Sequence, residues 1–193
     1  MSTEYPLGQE PDFWEPDPEE QSHRFALGNV QRSSISSPPL IAICMNPSYA
    51  TRLQADRTVN RLIRASIDNR ASGWLMLNLY PERATDASNL SPFDPSLSAA
   101  NCEVIGAVLR RFGASEVLGA WGGLKNRTLR RARADVLETL ERLDVKLFTF
   151  DGLTGGGDPL HPTPRGTPLQ MRGDKRFLMA KGARLVEHPH ETR

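Results

Sequence analysis

A few polar groups interrupt an apolar skeleton at positions that suggest chemistry. Asn46 leaves the apolar run 40–45 (LIAICM) in the segment Met45-Asn46-Pro47-Ser48. Proline fixes its own φ and restricts the residue before it, so this amide is held rigidly at the end of the run. There it could orient a water or a substrate; taken alone, Asn-Pro is also an ordinary turn starter. Asn78 sits inside a second apolar run, 74–80 (WLMLNLY). A buried amide must find partners, either the backbone of a neighbouring loop or a ligand edge that both donates and accepts, such as a nucleobase. His161 lies in Leu160-His161-Pro162-Thr163-Pro164-Arg165, a segment stiffened by proline. A prepositioned imidazole suits acid–base or electrostatic work. Trp121-Gly122-Gly123 ends a third run; packing and a turn explain it, though glycine also lets a backbone approach closely.

The elements that must position these groups follow from hydrophobic spacing. Runs 40–45, 74–80, 115–121 and 145–150 are nearly continuous in apolar character, as expected of strands buried on both faces. Between them, 56–68, 96–112 and 126–143 show helical spacing, with Ser96 expected to cap the second helix and Gly113 to stop it. A last helix is expected over 173–185. Alternating strands and helices predict an α/β domain with a central parallel four-stranded sheet. In such sheets ligands bind beyond the carboxyl ends of the strands, where Asn46, Asn78, Trp121 and the long loop 151–168 all fall. That loop is glycine-rich, but no Gly-Lys-Ser/Thr follows it, so it is not a phosphate-binding loop. His188 and His190 fit no metal spacing.

Composition narrows the function classes. A chain of 193 residues with 38% hydrophobic and 24% charged residues is a globular domain rather than a fibrous or disordered one. It has no run of 18 apolar residues to span a membrane, and its N-terminus lacks the basic and apolar regions of a secretory signal. Two cysteines, Cys44 and Cys102, cannot form a disulfide framework or a cysteine-ligated cluster, so a reducing cytoplasm is expected. Net charge is +1, but residues 1–20 carry seven acids and no Lys or Arg. That leaves 16 of the 23 acids against all 24 basic residues in the rest of the chain. Residues 1–22 read as a flexible acidic arm, 23–187 as a single domain and 188–193 as a tail. A basic body permits a polyanionic partner; arginine-rich helix faces on a soluble protein are the plainer explanation.

Taken in order, four segments resemble the uracil-DNA glycosylase superfamily. Met45-Asn46-Pro47 resembles its Gly-Met-Asn-Pro loop, and Leu75-Met76-Leu77-Asn78 its second strand, which ends in a base-reading Asn. Val117-Leu118-Gly119-Ala120-Trp121-Gly122 resembles its Leu-Trp-Gly strand, and His161-Pro162-Thr163-Pro164 its His-Pro-Ser-Pro loop. The resemblance covers 40–168 and is nearest the single-strand-selective monofunctional branch, which also carries an Arg after the last motif. Asn-Pro-Ser followed by Asp56 and Thr58, and Arg83-Ala84-Thr85-Asp86, resemble in addition a bacterial and phage-encoded family of unassigned function.

The resemblance implies a three-layer α/β/α fold and a monofunctional DNA glycosylase. Asn46 would position the attacking water and His161 would stabilise negative charge on the departing base. Asn78, Tyr49 and Met45 would bind the flipped base. Ser48, Trp121, Gly122, Pro162, Thr163 and Arg165 would contact DNA, with Arg165 wedged into the gap in the stack. No metal or cofactor is implied; the partner is DNA, with no membrane partner, and the protein is expected as a monomer. Segment 51–60 holds no aromatic residue to stack on uracil. A pocket without that restriction suits a larger modified base, and one carried by phage DNA is the expectation. The alternatives are a non-catalytic DNA-binding module and a hydrolase of free nucleosides or nucleotides.

Overall fold

The chain is a mixed α/β structure built on one eight-stranded sheet. The computed structural model describes residues 3–17, 22–164, 168–182 and 184–192. In chain order these form β1 (Phe13–Glu15), β2 (Ala26–Asn29), β3 (Leu40–Cys44), α1 (Arg57–Asp68), β4 (Trp74–Asn78), α2 (Pro95–Arg111), β5 (Glu116–Gly119), α3 (Arg127–Arg142), β6 (Lys146–Thr149), β7 (Arg176–Lys181) and β8 (Arg184–Thr192). The order across the sheet is β1-β2-β4-β3-β5-β6-β7-β8.

The four runs read as strands from sequence lie side by side as β4, β3, β5 and β6, each parallel to its neighbour. Their apolar continuity has the expected cause: β3 and β4 are buried at every position. The expectation of a four-stranded sheet is corrected, however. Antiparallel strands extend it on both sides, β2 and β1 beyond β4, and β7 and β8 beyond β6.

Helices α2 and α3 pack on one face of the sheet through Ile105, Val108, Leu129, Ala132 and Val136. Helix α1 packs on the other through Val59, Leu62 and Ile63. Each helix starts on a side-chain cap. Asp56 accepts from the Val59 amide at 2.9 Å, Asp94 from Ser96, and Asn126 from Thr128 at 2.7 Å. Asp94 rather than Ser96 caps α2, because Pro95 is suited to the first helical position. Gly113, at φ +56°, lies just beyond the helix end as expected.

Two further expectations fail for identifiable reasons. Segment 173–185 is not a helix but the hairpin β7–β8, in which Lys181 pairs with Arg184. Leu178, Met179, Ala180 and Lys181 are good helix formers, but Gly182 sits at φ +61°, the conformation a two-residue hairpin turn requires. The C-terminal residues read as a tail continue β8 to Thr192. At the other end, the described part of the acidic segment is not a flexible arm. Tyr5 and Trp14 are buried, β1 pairs with β2, and Thr3 bridges Ala55. Its acidic, proline-rich composition concealed aromatic anchors spaced to reach the α1 face. Among the described residues, no helix is long and apolar enough to cross a membrane.

Candidate functional site

Strand order places a crevice at one point of the sheet. From β3 the chain passes over one face through α1 to β4, then returns through α2 to β5 on the other side of β3. Loops leaving β3 and β5 therefore diverge, which is where open α/β sheets hold ligands. A cavity of about 210 Å³ lies at the carboxyl end of β3, on its β4 side. The β3 exit contributes Cys44, Met45, Asn46 and Ser48, and the start of α1 contributes Asp56 and Thr58. Met76, Arg24, the 84–87 loop and His161 close it. Its volume matches about seven waters. That suits one ring-sized group and falls below the roughly 300 Å³ at which drug-sized ligand pockets begin.

Asn46 is fixed in one orientation. Its amide nitrogen donates to the carbonyls of Pro47 at 3.0 Å and Ala84 at 2.7 Å. Both partners can only accept, so the amide cannot be flipped. The hydrogen-bonding atom left for a ligand is Oδ1, an acceptor. His161 is fixed in the complementary sense. Its Nδ1 accepts from the Thr163 amide at 3.2 Å, with the Thr163 hydroxyl 3.1 Å away. An amide N–H can only donate, so the neutral ring carries its proton on Nε2, a donor. The cavity thus holds one rigid acceptor and one rigid donor.

Burial lowers the pKa of His161 below its ordinary 6.5, against an opposing contribution from the Asp56 carboxylate. The ring is therefore neutral at neutral pH. Below the ordinary value the unfolded chain takes up the proton first, so His161 makes stability rise with pH and fall on acidification. Urea midpoints measured from about pH 7.5 down to about pH 5 should drop more in the wild type than in His161→Gln. Equal drops would show that the ring is not held neutral. The Cys44 thiol is pushed up to about 12 by its burial and by the Asp56 charge. It is a wall, not a nucleophile.

Other expected residues take different places. Met45 and Ser48 line the cavity. Asn78 does not: it is fully buried, and its amide nitrogen donates to the Arg24 carbonyl at 3.4 Å. Its backbone carbonyl accepts from the Asn101 side chain of α2 at 2.9 Å. Tyr49 also lies off the cavity, 61% exposed. Trp121 is buried behind the site, its indole N–H donating to Asp158 at 3.0 Å. Asp158 also pairs with Arg133 of α3 at 2.6 Å, and Gly122 donates from its amide to Pro159 at 2.8 Å. Gly122 is at φ +75°, and a Cβ there would stand 2.9 Å from the His161 Cβ. Trp121 and Gly122 therefore shape the seat of the histidine loop rather than the cavity surface. Pro162 is buried in that loop beside Thr163. Arg165 lies outside the described residues.

The cavity also holds residues that spacing did not single out as functional. Arg24 is 1% exposed, stacks over Trp14 at 5.5 Å and donates to the Ala50 carbonyl at 2.5 Å. The one available signal was a lone arginine heading an apolar strand. Asp56, Thr58 and Thr85 add polar groups.

A protein-family model, described only as a protein of unknown function (DUF1643), matches residues 24–163. That span opens on Arg24 and closes on Thr163, at the two chain ends of the cavity. No curated protein and no solved structure matches the chain. The chain belongs to the DUF1643 family.

Proposed function

We propose that this member of the DUF1643 family is a monofunctional DNA glycosylase that hydrolyses the N-glycosidic bond of an extruded, modified base. The observation that carries the reading is the pairing of the locked Asn46 acceptor with the Nε2–H of neutral His161 in one ring-sized cavity. The four motifs resembling the uracil-DNA glycosylase superfamily, and the position of the cavity at the carboxyl end of β3, support the same reading.

The chemistry needs little more. A base in a duplex must leave the stack before an enzyme can reach the bond to its sugar. As the bond to C1′ breaks, the sugar becomes oxocarbenium-like and the bonding electrons depart with the base. Asn46 Oδ1 holds a water against C1′; the developing cation draws it in without a strong base, the proton shed as the water bonds to C1′ passes to solvent, and the departed base anion takes one up. The Nε2–H of His161 stabilises the charge on the base; one such preorganised donor is worth about 3 kcal/mol. With Asn78 sealed behind the wall, Arg24, Asp56, Thr58 and Thr85 read the base edge in its place. Among the described residues no lysine lines the cavity, so no Schiff base and no strand cleavage are expected. A role in defence against phages with modified DNA fits the absence of an aromatic restriction over 51–60.

The test is abasic-site formation on oligonucleotides carrying uracil, 5-hydroxymethyluracil, hypoxanthine and hydroxymethylated or glucosylated cytosine, and on modified phage genomes. One substrate should give abasic sites. Asn46→Ala should slow single-turnover excision about 100-fold or more while DNA binding survives. DNA binding with silence across the panel would favour the non-catalytic binding module. Turnover of free nucleosides would favour the hydrolase.

A further inference from the structure

Two of the most exposed apolar side chains stand on the turn that runs from the cavity wall into α1. Tyr49 is 61% and Leu53 82% exposed. Single exposed apolar residues are unremarkable, but the backbone beneath these two is held from several directions. Arg24 and Arg83 donate to the Ala50 carbonyl at 2.5 and 3.1 Å, and the Tyr5 hydroxyl to the Thr51 carbonyl at 2.8 Å. The Thr51 hydroxyl accepts from the amides of Leu53 at 3.2 Å and Gln54 at 3.1 Å, and the Thr51 amide donates back to the Gln54 carbonyl at 2.8 Å. Ala50 and Ala55, at either side, are fully buried. Carbonyls and small side chains are drawn inward, while the tyrosine and the leucine project into solvent from a rigid support.

We propose that this turn enters a base stack in the place the resemblance gives to Arg165: Leu53 fills the gap left by the nucleotide held in the cavity, and Tyr49 stacks on the base beside it. The proposal rests on reading the cavity as a base pocket. Apolar wedges between bases and aromatic stacking platforms are the side chains nucleic-acid binders use for these tasks. A pinned backbone makes insertion cheap, since the loop has little freedom left to lose. Arg52, between the two, is turned away over Trp14 and paired with Asp17, which leaves the apolar tips unobstructed. Two projecting side chains are too small a surface for a stable protein interface, which buries about 800 Å² per partner. They are enough for a gap one base wide.

The experiment compares binding of the full-length protein to an intact duplex and to the same duplex containing a stable abasic-site analogue. The wild type should prefer the abasic duplex. Leu53→Ala and Tyr49→Ala should each weaken binding to it about fivefold to 100-fold, with little change on the intact duplex. Both side chains are exposed, so both variants should fold. Ile35→Ala is the control: Ile35 is 71% exposed but precedes β3, at the opposite end of the sheet from the cavity, and its removal should change neither affinity. Selective loss in the two turn variants supports the wedge whether or not any base is excised. Unchanged preference in both overturns the wedge and leaves the glycosylase reading to the excision panel. Absence of DNA binding overturns both.

Discussion

Deleting residues 1–17 is expected to leave no cooperatively folded protein. The segment is acidic and proline-rich, yet it supplies a strand and two buried aromatic residues to the α1 face of the sheet. Trp14→Ala alone should cost about 3–5 kcal/mol, against a total of about 5–15 kcal/mol for an ordinary domain. Tyr5 stacks on Trp74 at 6.2 Å, and Asp12 accepts from the Val30 amide at 2.7 Å, so the loss extends beyond one side chain. The site should suffer as well. The guanidinium groups of Arg24 and Arg52 both lie over Trp14, 5.5 and 5.6 Å from its ring centre. Without it, Arg24 loses the surface that holds it in the cavity wall. Urea titration followed by circular dichroism checks the expectation; a truncated chain with the wild-type midpoint would show that the segment merely rests on the body.

Asp158→Ala should destabilise the protein by about 3–5 kcal/mol, lowering Tm by about 10 °C for a chain of this length. Asp158 is 5% exposed and accepts from both Trp121 and Arg133. Removing the carboxylate leaves the buried Trp121 indole N–H without its acceptor and takes away the negative charge facing the Arg133 guanidinium, which is 15% exposed, and that costs more than the pair contributes. Asp158→Ala combined with Arg133→Met should therefore be less destabilising than the two single changes summed. The backbone carries the damage to the site. Asp158 exchanges hydrogen bonds with Thr154, Pro159 accepts from Gly122, and His161 follows two residues later. The His161 ring signals in an NMR titration should shift in Asp158→Ala even where the protein remains folded. A stable variant with unmoved His161 signals would show that the clamp does not extend to the histidine.

The legible and illegible parts of this fold divide along a physical line. Strands β3 to β6 were visible because burial on both faces forces continuous apolar runs, and α1 and α3 because a single buried face forces helical spacing. Strands β1 and β2 are short, and their stability comes from pairing, β2 with β4 and β1 with β2, rather than from local pattern. The β7–β8 hairpin contradicts its own local propensity and is decided by the turn at Gly182. In the site, Asn46 and His161 were legible because proline beside each marks a stiffened backbone. Arg24 was not, because a buried cation depends on Trp14 and Ala50, partners distant in sequence. Asn78 was legible as a buried amide, but sequence does not say which way such an amide turns. It turns to the Arg24 carbonyl.

The cavity wall begins at Arg24 and is not complete until His161. Consider the chain as it leaves the ribosome. Strands β3 and β4 and helix α1 can form early, but the donor that completes the site is made after nearly every other element of the sheet. No amino-terminal fragment short of residue 161 carries a finished site, whether it arises from stalled synthesis, a premature stop codon or proteolysis. Production interrupted before residue 161 therefore yields pieces that lack the completed cavity.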